Sequence, residues 1–452
     1  MTVTAIPILT LQVLSDAEQS LVTRLNNQRS VALADVELRD AYYNGNQLIR
    51  DLGISIPPQM RGLRTIVGWP QVGVDALDEL LDVQGFRFTG GGESGDADLM
   101  AIWQANNLDE ESQLAHLDAL IHGSAFTCVG SGPDGVPKIT VESMHAMSVI
   151  YDPWWREITA ALRVYGGDEF GRNKKATLYL PDETISLSQS VSGSAEWVVE
   201  DRDQHNMGEC MVARLSNRQR TSRREGQSEI TTQIMSTTDA GCRTLLGLEA
   251  AREFYAAAKM FLLNADESKF VGPDGTKKTA WETYIGRILA VGADESGNPV
   301  DVKRFDGSDP TPFTRIMAEF RQEMTSLTRL PPYMLGETTQ NPASAESIRA
   351  AKDGLVLRAG RRQQGLSGGW EDTQRKARRV ANNGRLPAGA DRIQTIWVPA
   401  GGPTPAAITD SVVKQIQVGA IPAESDVALE RMGYSVEERA RIVKERAASP
   451  TA

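Results

Sequence analysis

The stretch RLPPYMLGETTQNPASAESIRAAKDGL, residues 329–355, constrains the fold of this chain more than any other. Pro331 and Pro332 stop a helix, because proline lacks an N–H and pushes the residue before it out of the helical region. Asn341 and Pro342 then offer the cap and the first-turn residue of a new helix. The residues between them, Leu335 to Gln340, follow no core-forming pattern. One helix is therefore ended and another begun in a new direction, with a short polar segment left between.

The helix that the prolines stop begins at Pro312. Its Phe313, Ile316, Met317, Phe320, Met324 and Leu327 carry the spacing of one buried face. It is expected to run for roughly 28 Å. An earlier helix is expected over 238–263, capped by Thr238 or Asp239. Its Leu246, Ala250, Phe254, Ala258 and Phe261 recur at about every fourth position, over ~37 Å. Between these helices lies the insert 264–311, rich in Gly, Asp and Pro, with two strand-like pieces, TYIGRILAV and VDVKRFDG, joined by the turn ESGNP. Two long helices thus flank a segment able to fold as a small αβ module. The restarted helix passes Ile348, Ala351, Leu355 and Ala359 towards Val380, through Gly365 and the Gly368-Gly369 pair.

The first half reads as α+β. Ser15-Asp16-Ala17-Glu18 has the spacing of a capping box, and a helix with Leu21, Leu25, Leu33 and Leu38 follows as far as Gly45. Residues 66–88 read as a helix running into a strand turned at Gly85, and 97–130 as two helices and a buried strand. Clusters of Thr, Val, Tyr and Trp from about 145 to 212, punctuated by Gly, Asp and Pro, suit antiparallel strands. The passage 213–235 is polar and basic, with Arg214, Arg218, Arg220, Arg223 and Arg224, and reads as extended or loop-like. RIQTIWVPA is a late strand, GGPTPAA a linker, and 406–447 a short helical unit broken at GAIPAES.

At 452 residues with a formal net charge of −11, the chain is large enough for two or three packed units. Its whole surface is unsuited to indiscriminate nucleic-acid binding. Cys128, Cys210 and Cys242 are few, odd in number and far apart, which argues against a disulfide framework. The N-terminus has no basic flank and Pro7 interrupts its apolar run, so it is a poor signal peptide. No run approaches the ~20 apolar residues of a membrane span. The chain reads as soluble and intracellular in origin.

Catalytic patterns are missing. His116, His122, His145 and His205 have no metal-ligand spacing, and there is no HExxH or CxxC. GSGPDG at 130–135 lacks the Lys-Ser/Thr pair of a phosphate-binding loop and reads as a hairpin turn. Asp152-Pro153-Trp154-Trp155 is expected to be a turn with two packed aromatics. Arg375, Lys376, Arg378 and Arg379 lie on a helix and read as a solvated or subunit-facing face. The arginines of 214–224 could touch phosphate or serve as solvated or subunit-pairing groups.

The order of four segments resembles the portal proteins of tailed bacteriophages, in particular the Gp6-like portal family of siphoviruses. They are IWQANNLDEESQLAHLDALIHGSAFTCVG (102–130), NRQRTSRREGQSEI before the first long helix, LPPYMLGETTQNPASAESIRAAKDGL, and QVGAIPAESDVALERMGYSVEERARI near the C-terminus. The resemblance covers about residues 15–447. It implies a ring of about twelve subunits at one capsid vertex, with a wing at 1–237, stem helices at 238–263 and 312–333, and a clip at 264–311. A tunnel loop at 334–343 follows, then a long helix and return strand at 344–404 and a crown at 405–452. It further implies that Gly336, Glu337, Thr338, Thr339, Gln340 and Asn341 line a channel for double-stranded DNA, where a ring of Glu337 carboxylates pointing inward would repel the duplex. The implied partners are the terminase large subunit, a head-completion or adaptor protein, and the major capsid and scaffolding proteins. The implied location is the virion, with host cytoplasm during assembly, and no membrane.

Arg315, Arg321, Arg329, Lys277 and Lys278 are candidates for contact with DNA or a neighbouring subunit. The resemblance does not fix their roles: Arg315, Arg321 and Arg329 are spread over more than one helix face. No catalytic residue, cofactor or metal is implied. Two other readings are an enzyme with a site around Asp152, Glu169 and His145, and a monomeric scaffold binding a partner through 264–311.

Overall fold

A computed structural model describes residues 13–48, 65–88, 93–132, 135–166, 174–189, 197–255, 259–263, 301–305, 309–336, 345–387, 389–401, 405–434 and 436–448. The chain divides into two compact units. One comprises Met1–Leu48, Gly68–Ser236 and Glu323–Ala452, and the other Ile49–Val67 and Thr237–Gln322. Among the described residues no helix is long and apolar enough to cross a membrane.

The larger unit opens with α1 (Asp16–Tyr43). Its capping box is formed: the Ser15 N–H donates to the Glu18 carboxylate at 2.7 Å and the Glu18 N–H to Ser15 Oγ at 3.3 Å. There follow α2 (Trp69–Asp78), β1 (Val83–Phe88), α3 (Glu93–Ala105), α4 (Leu108–His122), β2 (Ser124–Ser131) and β3 (Pro137–Ser143). The strands β4 (Met147–Tyr151), β5 (Ile158–Tyr165), β6 (Lys175–Tyr179), β7 (Thr184–Gln189) and β8 (Trp197–Asp203) pair in sequence as one five-stranded sheet, all antiparallel. Strand β9 (Val212–Ser216) returns to β2, giving a second sheet ordered β3-β2-β9. The run GSGPDG is flanked by the paired ends Gly130↔Lys138 and Ser131↔Pro137, as its hairpin reading requires. Gly85 does not turn the chain; it sits within β1 at a register shift against the late strand Ile393–Trp397.

Period-two burial on the five-stranded sheet explains its place. Leu162, Val164, Ala176, Leu178, Ile185 and Leu187 pack with Val22 and Leu25 of α1. The opposite side joins Met147, Val149 and Ala161 to Phe126 and Cys128 of β2 and Val212 of β9. Burial pushes the thiols of Cys128 and Cys210 up to about 12, so both behave as small apolar groups.

In chain order come α5 (Thr232–Tyr255), β10 (Lys259–Leu263), β11 (Asp301–Phe305), α6 (Thr311–Thr328), α7 (Ala345–Ala381), β12 (Ile393–Trp397), α8 (Pro405–Gln417), α9 (Asp426–Arg431) and α10 (Val436–Ala448). The helix expected over 238–263 is displaced at both ends. Thr231 rather than Thr238 or Asp239 stands at its start, accepting from the Ile234 N–H at 3.4 Å. Its expected last turn, KMFLL, is strand β10, whose backbone pairs with β11. VDVKRFDG does hold a strand, yet that strand pairs with KMFLL and closes the base of the insert. TYIGRILAV, Lys277, Lys278 and the rest of 264–300 lie outside the described residues. In the smaller unit Gly247 of α5 faces the Phe313 ring, which would stand 3.1 Å from an added Cβ.

Helix α7 runs unbroken through its glycines to Ala381, ~55 Å, and packs on β9, β2 and β12. Gly369 is the reason it can lie so close: a Cβ there would come within 2.6 Å of the Arg214 carbonyl oxygen. One turn on, Thr373 Oγ1 donates to the Gly369 carbonyl at 2.8 Å and shares a buried 2.6 Å hydrogen bond with Thr127 of β2. We expect Thr373→Val to cost about 1–3 kcal/mol, since it strands a buried hydroxyl. Thr127→Val should cost less, because Thr373 keeps its bond to Gly369. Denaturant melts of both variants and their double measure the coupling. Trp103, Trp370 and Phe86 fill the adjoining core. There the Trp370 indole N–H donates to His116 Nε2 at 2.9 Å, and burial lowers His116 to about 4. His116 is thus a neutral core histidine. The C-terminal helical unit has the expected break after Gln417, at Gly419 with φ +71°, and a small core of Val412, Ile421 and Ala428.

Two expectations are corrected. Asp152 does make a turn, accepting from the Trp154 and Trp155 N–H groups at 2.7 Å each, but the two indoles are 81% and 73% exposed rather than packed. The basic run 375–379 is no free surface. Arg375 and Lys376 pair with Asp372, Arg378 with Asp98 at 2.9 Å, and Arg379 with Glu209 at 3.0 Å, because α7 packs this face onto its own chain.

Candidate functional site

The break after α6 is built more firmly than two prolines require. Thr328 Oγ1 donates back to the Met324 carbonyl at 2.6 Å and accepts from the Leu330 N–H at 3.3 Å. Arg329 takes the left-handed conformation, φ +57°, which few side chains other than glycine adopt. Pro332–Leu335 then form one 3₁₀ turn, closed by Gly336 at φ +82°. Leu330 and Leu335 are both buried, so the exit is anchored on either side. Residues 337–344 lie outside the described residues, and with them Glu337, Thr338, Thr339, Gln340 and Asn341. Gly336 is exposed at the edge of that segment.

Beside Arg329 opens a cavity of about 580 Å³, lined in part by Arg218, Arg220, Arg329, Arg358, Arg361 and Arg362. Two of these arginines, Arg358 and Arg362, are held by Glu229, which is almost wholly buried. That carboxylate accepts from Arg362 Nε at 2.6 Å, from Arg358, and from Asn217 Nδ2 at 2.9 Å, with Arg218 3.9 Å away. Arg358 also donates to the Thr328 carbonyl at the end of α6. Burial by itself would raise the Glu229 carboxyl; Arg358 and Arg362 outweigh it and hold it at about 2. Arg220, Arg329 and Arg361 make no ion pair among the described residues and are exposed. The cavity therefore presents uncompensated guanidinium groups, the geometry that suits phosphate or carboxylate.

Of the basic candidates, only Arg329 joins this cavity. Arg315 is exposed and Arg321 half-buried on the part of α6 that belongs to the smaller unit. Arg214 is structural: it donates to Ser124 Oγ at 2.9 Å and to the Glu225 carbonyl at 2.8 Å, and lies over the Phe126 ring. The postulated enzyme site is not assembled by the described residues. The Asp152 carboxylate is engaged by its own turn, His145 bonds Asp40 at 2.6 Å, and Glu169 lies outside the described residues. Glu229, Arg358 and Arg362 went unread in the sequence. Arg358 and Arg362, four apart on one helix face, were the available signal; their carboxylate partner lies more than a hundred residues earlier.

This arrangement, a mixed helix-and-sheet body with a helix stopped and restarted beside an arginine-lined cavity, occurs in a chain whose relatives are phage structural proteins. Residues 23–434 match the family described as phage portal protein, SPP1 Gp6-like. The chain is 33% identical over 419 residues to the portal protein of Mycobacterium phage L5, covering 90% of this chain and 84% of that protein. It is 33% identical over 410 residues to that of Mycobacterium phage D29, covering 88% and 82%. Among solved structures it is similar to the neck of a native GTA particle computed with C12 symmetry (TM-score 0.43, 15% identity, 80% of this chain and 89% of that one). The neck of an empty GTA particle computed with C6 symmetry is similar too (TM-score 0.45, 15% identity, 80% and 88%). The chain belongs to the SPP1 Gp6-like family of phage portal proteins, head-to-tail connectors that are structural rather than catalytic.

Proposed function

We propose that about twelve copies of this chain close into a ring at one capsid vertex by heterologous contacts, each subunit meeting the next with a different face. The ring nucleates capsid assembly with the major capsid and scaffolding proteins, in the host cytoplasm, and remains in the virion. Double-stranded DNA passes through its centre during packaging and ejection. The insert 264–311 docks the terminase large subunit, which brings the ATP hydrolysis, and later a head-completion or adaptor protein. Residues 238–263 and 312–333 form the stem, and 405–452 the crown.

The observation that carries this reading is the break at Arg329–Gly336. A chain that spends a left-handed arginine, two prolines and a 3₁₀ turn on leaving one helix is held to a defined exit, from which Gly336 to Asn341 extend as the tunnel loop. Arg329 brings positive charge to the base of that loop and Glu337 negative charge within it, so the duplex is guided without being gripped. Native mass spectrometry with negative-stain imaging tests the reading. We expect a closed ring near twelve times the 49.3 kDa of one chain, with a central hole. A chain that stays monomeric at high concentration overturns it and favours the scaffold reading.

A further inference from the structure

Outside the arginine cavity, the larger unit gathers a second set of polar groups that the portal function does not use. Asp40 lies in the last turn of α1, His122 is the last residue of α4, and His145 lies in the turn between β3 and β4. His122 Nε2 is 3.3 Å from Asp40 Oδ1 and 3.9 Å from Asp118 Oδ1, and His145 Nε2 is 2.6 Å from Asp40 Oδ2. The donor atoms of Asp40, His122 and His145 all lie within 4.8 Å of one another. Four ligands at about 2.0–2.1 Å from a tetrahedral zinc stand ~3.3 Å apart, so the observed separations bracket the edge of that tetrahedron.

We propose that Asp40, His122 and His145 form a site for one divalent transition-metal ion, zinc foremost, which pins α1 to α4 and the β3–β4 turn, with water completing its coordination. The donor set is two imidazoles and one carboxylate, the mixed N/O chemistry that suits zinc among the available divalent ions. Among the described residues the Asp40 carboxylate pairs with no lysine or arginine, and Arg39 close by is engaged by Asp35. His122 is buried, and its Nδ1 has no hydrogen-bond partner. The surrounding backbone is already held. The His145 N–H donates to Ser143 Oγ at 3.2 Å, and its carbonyl accepts from Arg29 at 2.7 Å. The His145 side chain is 42% exposed and that of Asp40 31%, which leaves an ion a way in.

The test uses full-length protein without a polyhistidine tag, stripped with chelator and titrated with Co(II) and then Zn(II). We expect one Co(II) per chain with the intense visible absorption of a four-coordinate site, displaced by Zn(II), and a higher melting temperature on zinc addition. Asp40→Asn and His145→Gln should each weaken binding by more than about 100-fold, beyond what loss of an outer-shell partner costs. A wild-type chain that shows no saturable uptake of one ion overturns the proposal, and leaves these groups a metal-free hydrogen-bonded chain. That titration decides even if a variant fails to fold. Uptake that His145→Gln retains at full affinity overturns it as well.

Discussion

Glu229→Ala is expected to lower the stability of the larger unit by ~3–5 kcal/mol, the usual cost of removing one partner from a buried ion pair. The loss exceeds the worth of the pair itself, because Arg358 and Arg362 would remain charged with no carboxylate beside them. Glu229→Gln keeps the shape but turns two donors towards two guanidiniums, so it recovers only part of that loss. Acid should act like the substitution. The Glu229 carboxyl is held at about 2, against an ordinary 4.5. Its contribution is therefore complete above about pH 4.5 and drains away as pH falls towards 2. Urea melts across that range should show this component in the wild-type chain and lack it in Glu229→Gln. A loss below about 1 kcal/mol for Glu229→Ala would mean that Arg358 and Arg362 rest on other partners.

The second large effect is expected at Gly369. An added Cβ would stand 2.6 Å from the Arg214 carbonyl oxygen and 2.7 Å from Leu215 Cδ2. The first of these is strand backbone that cannot turn aside. Gly369→Val must lift α7 from β9 and should cost about 3 kcal/mol, with Gly369→Ala somewhat less. Its neighbour provides the control. A Cβ at Gly368 meets nothing within 4 Å, so Gly368→Ala should stabilise by about 0.5–1 kcal/mol through helix propensity alone. Opposite signs at adjacent residues, read from thermal melts, would be hard to produce by any general effect of adding a methyl group. If both destabilise equally, the close approach of helix to strand is not what Gly369 provides.

What could be read in the sequence follows from how local each signal is. The capping box at Ser15 and Glu18, the stop at Pro331-Pro332 and the amphipathic stripe from Phe313 to Leu327 depend on residues within a few positions of one another. The structure places the first two as expected; along the stripe Met317 and Met324 are buried while Ile316 is 41% exposed. KMFLL misled because its apolar positions continue a helical period as readily as a strand's, and only its pairing with Asp301–Phe305 decides. Trp154 and Trp155 misled in the other direction. An aromatic pair invites a packed reading, while the Asp152 turn holds both side chains in solvent. The arginine-lined cavity was half legible: Arg329 was singled out from its helix, yet the counter-charge that organises its neighbours comes from Glu229, remote in sequence. The cluster of Asp40, His122 and His145 had no sequence signature at all, since three separate segments contribute one residue each.

The two hydrogen bonds donated by Arg358 have a mechanical meaning. One guanidinium reaches both Glu229, three residues ahead of α5, and Thr328, the last residue of α6. Within the larger unit, three segments remote in sequence are thus tied at one charged joint, much as a single rivet holds three plates.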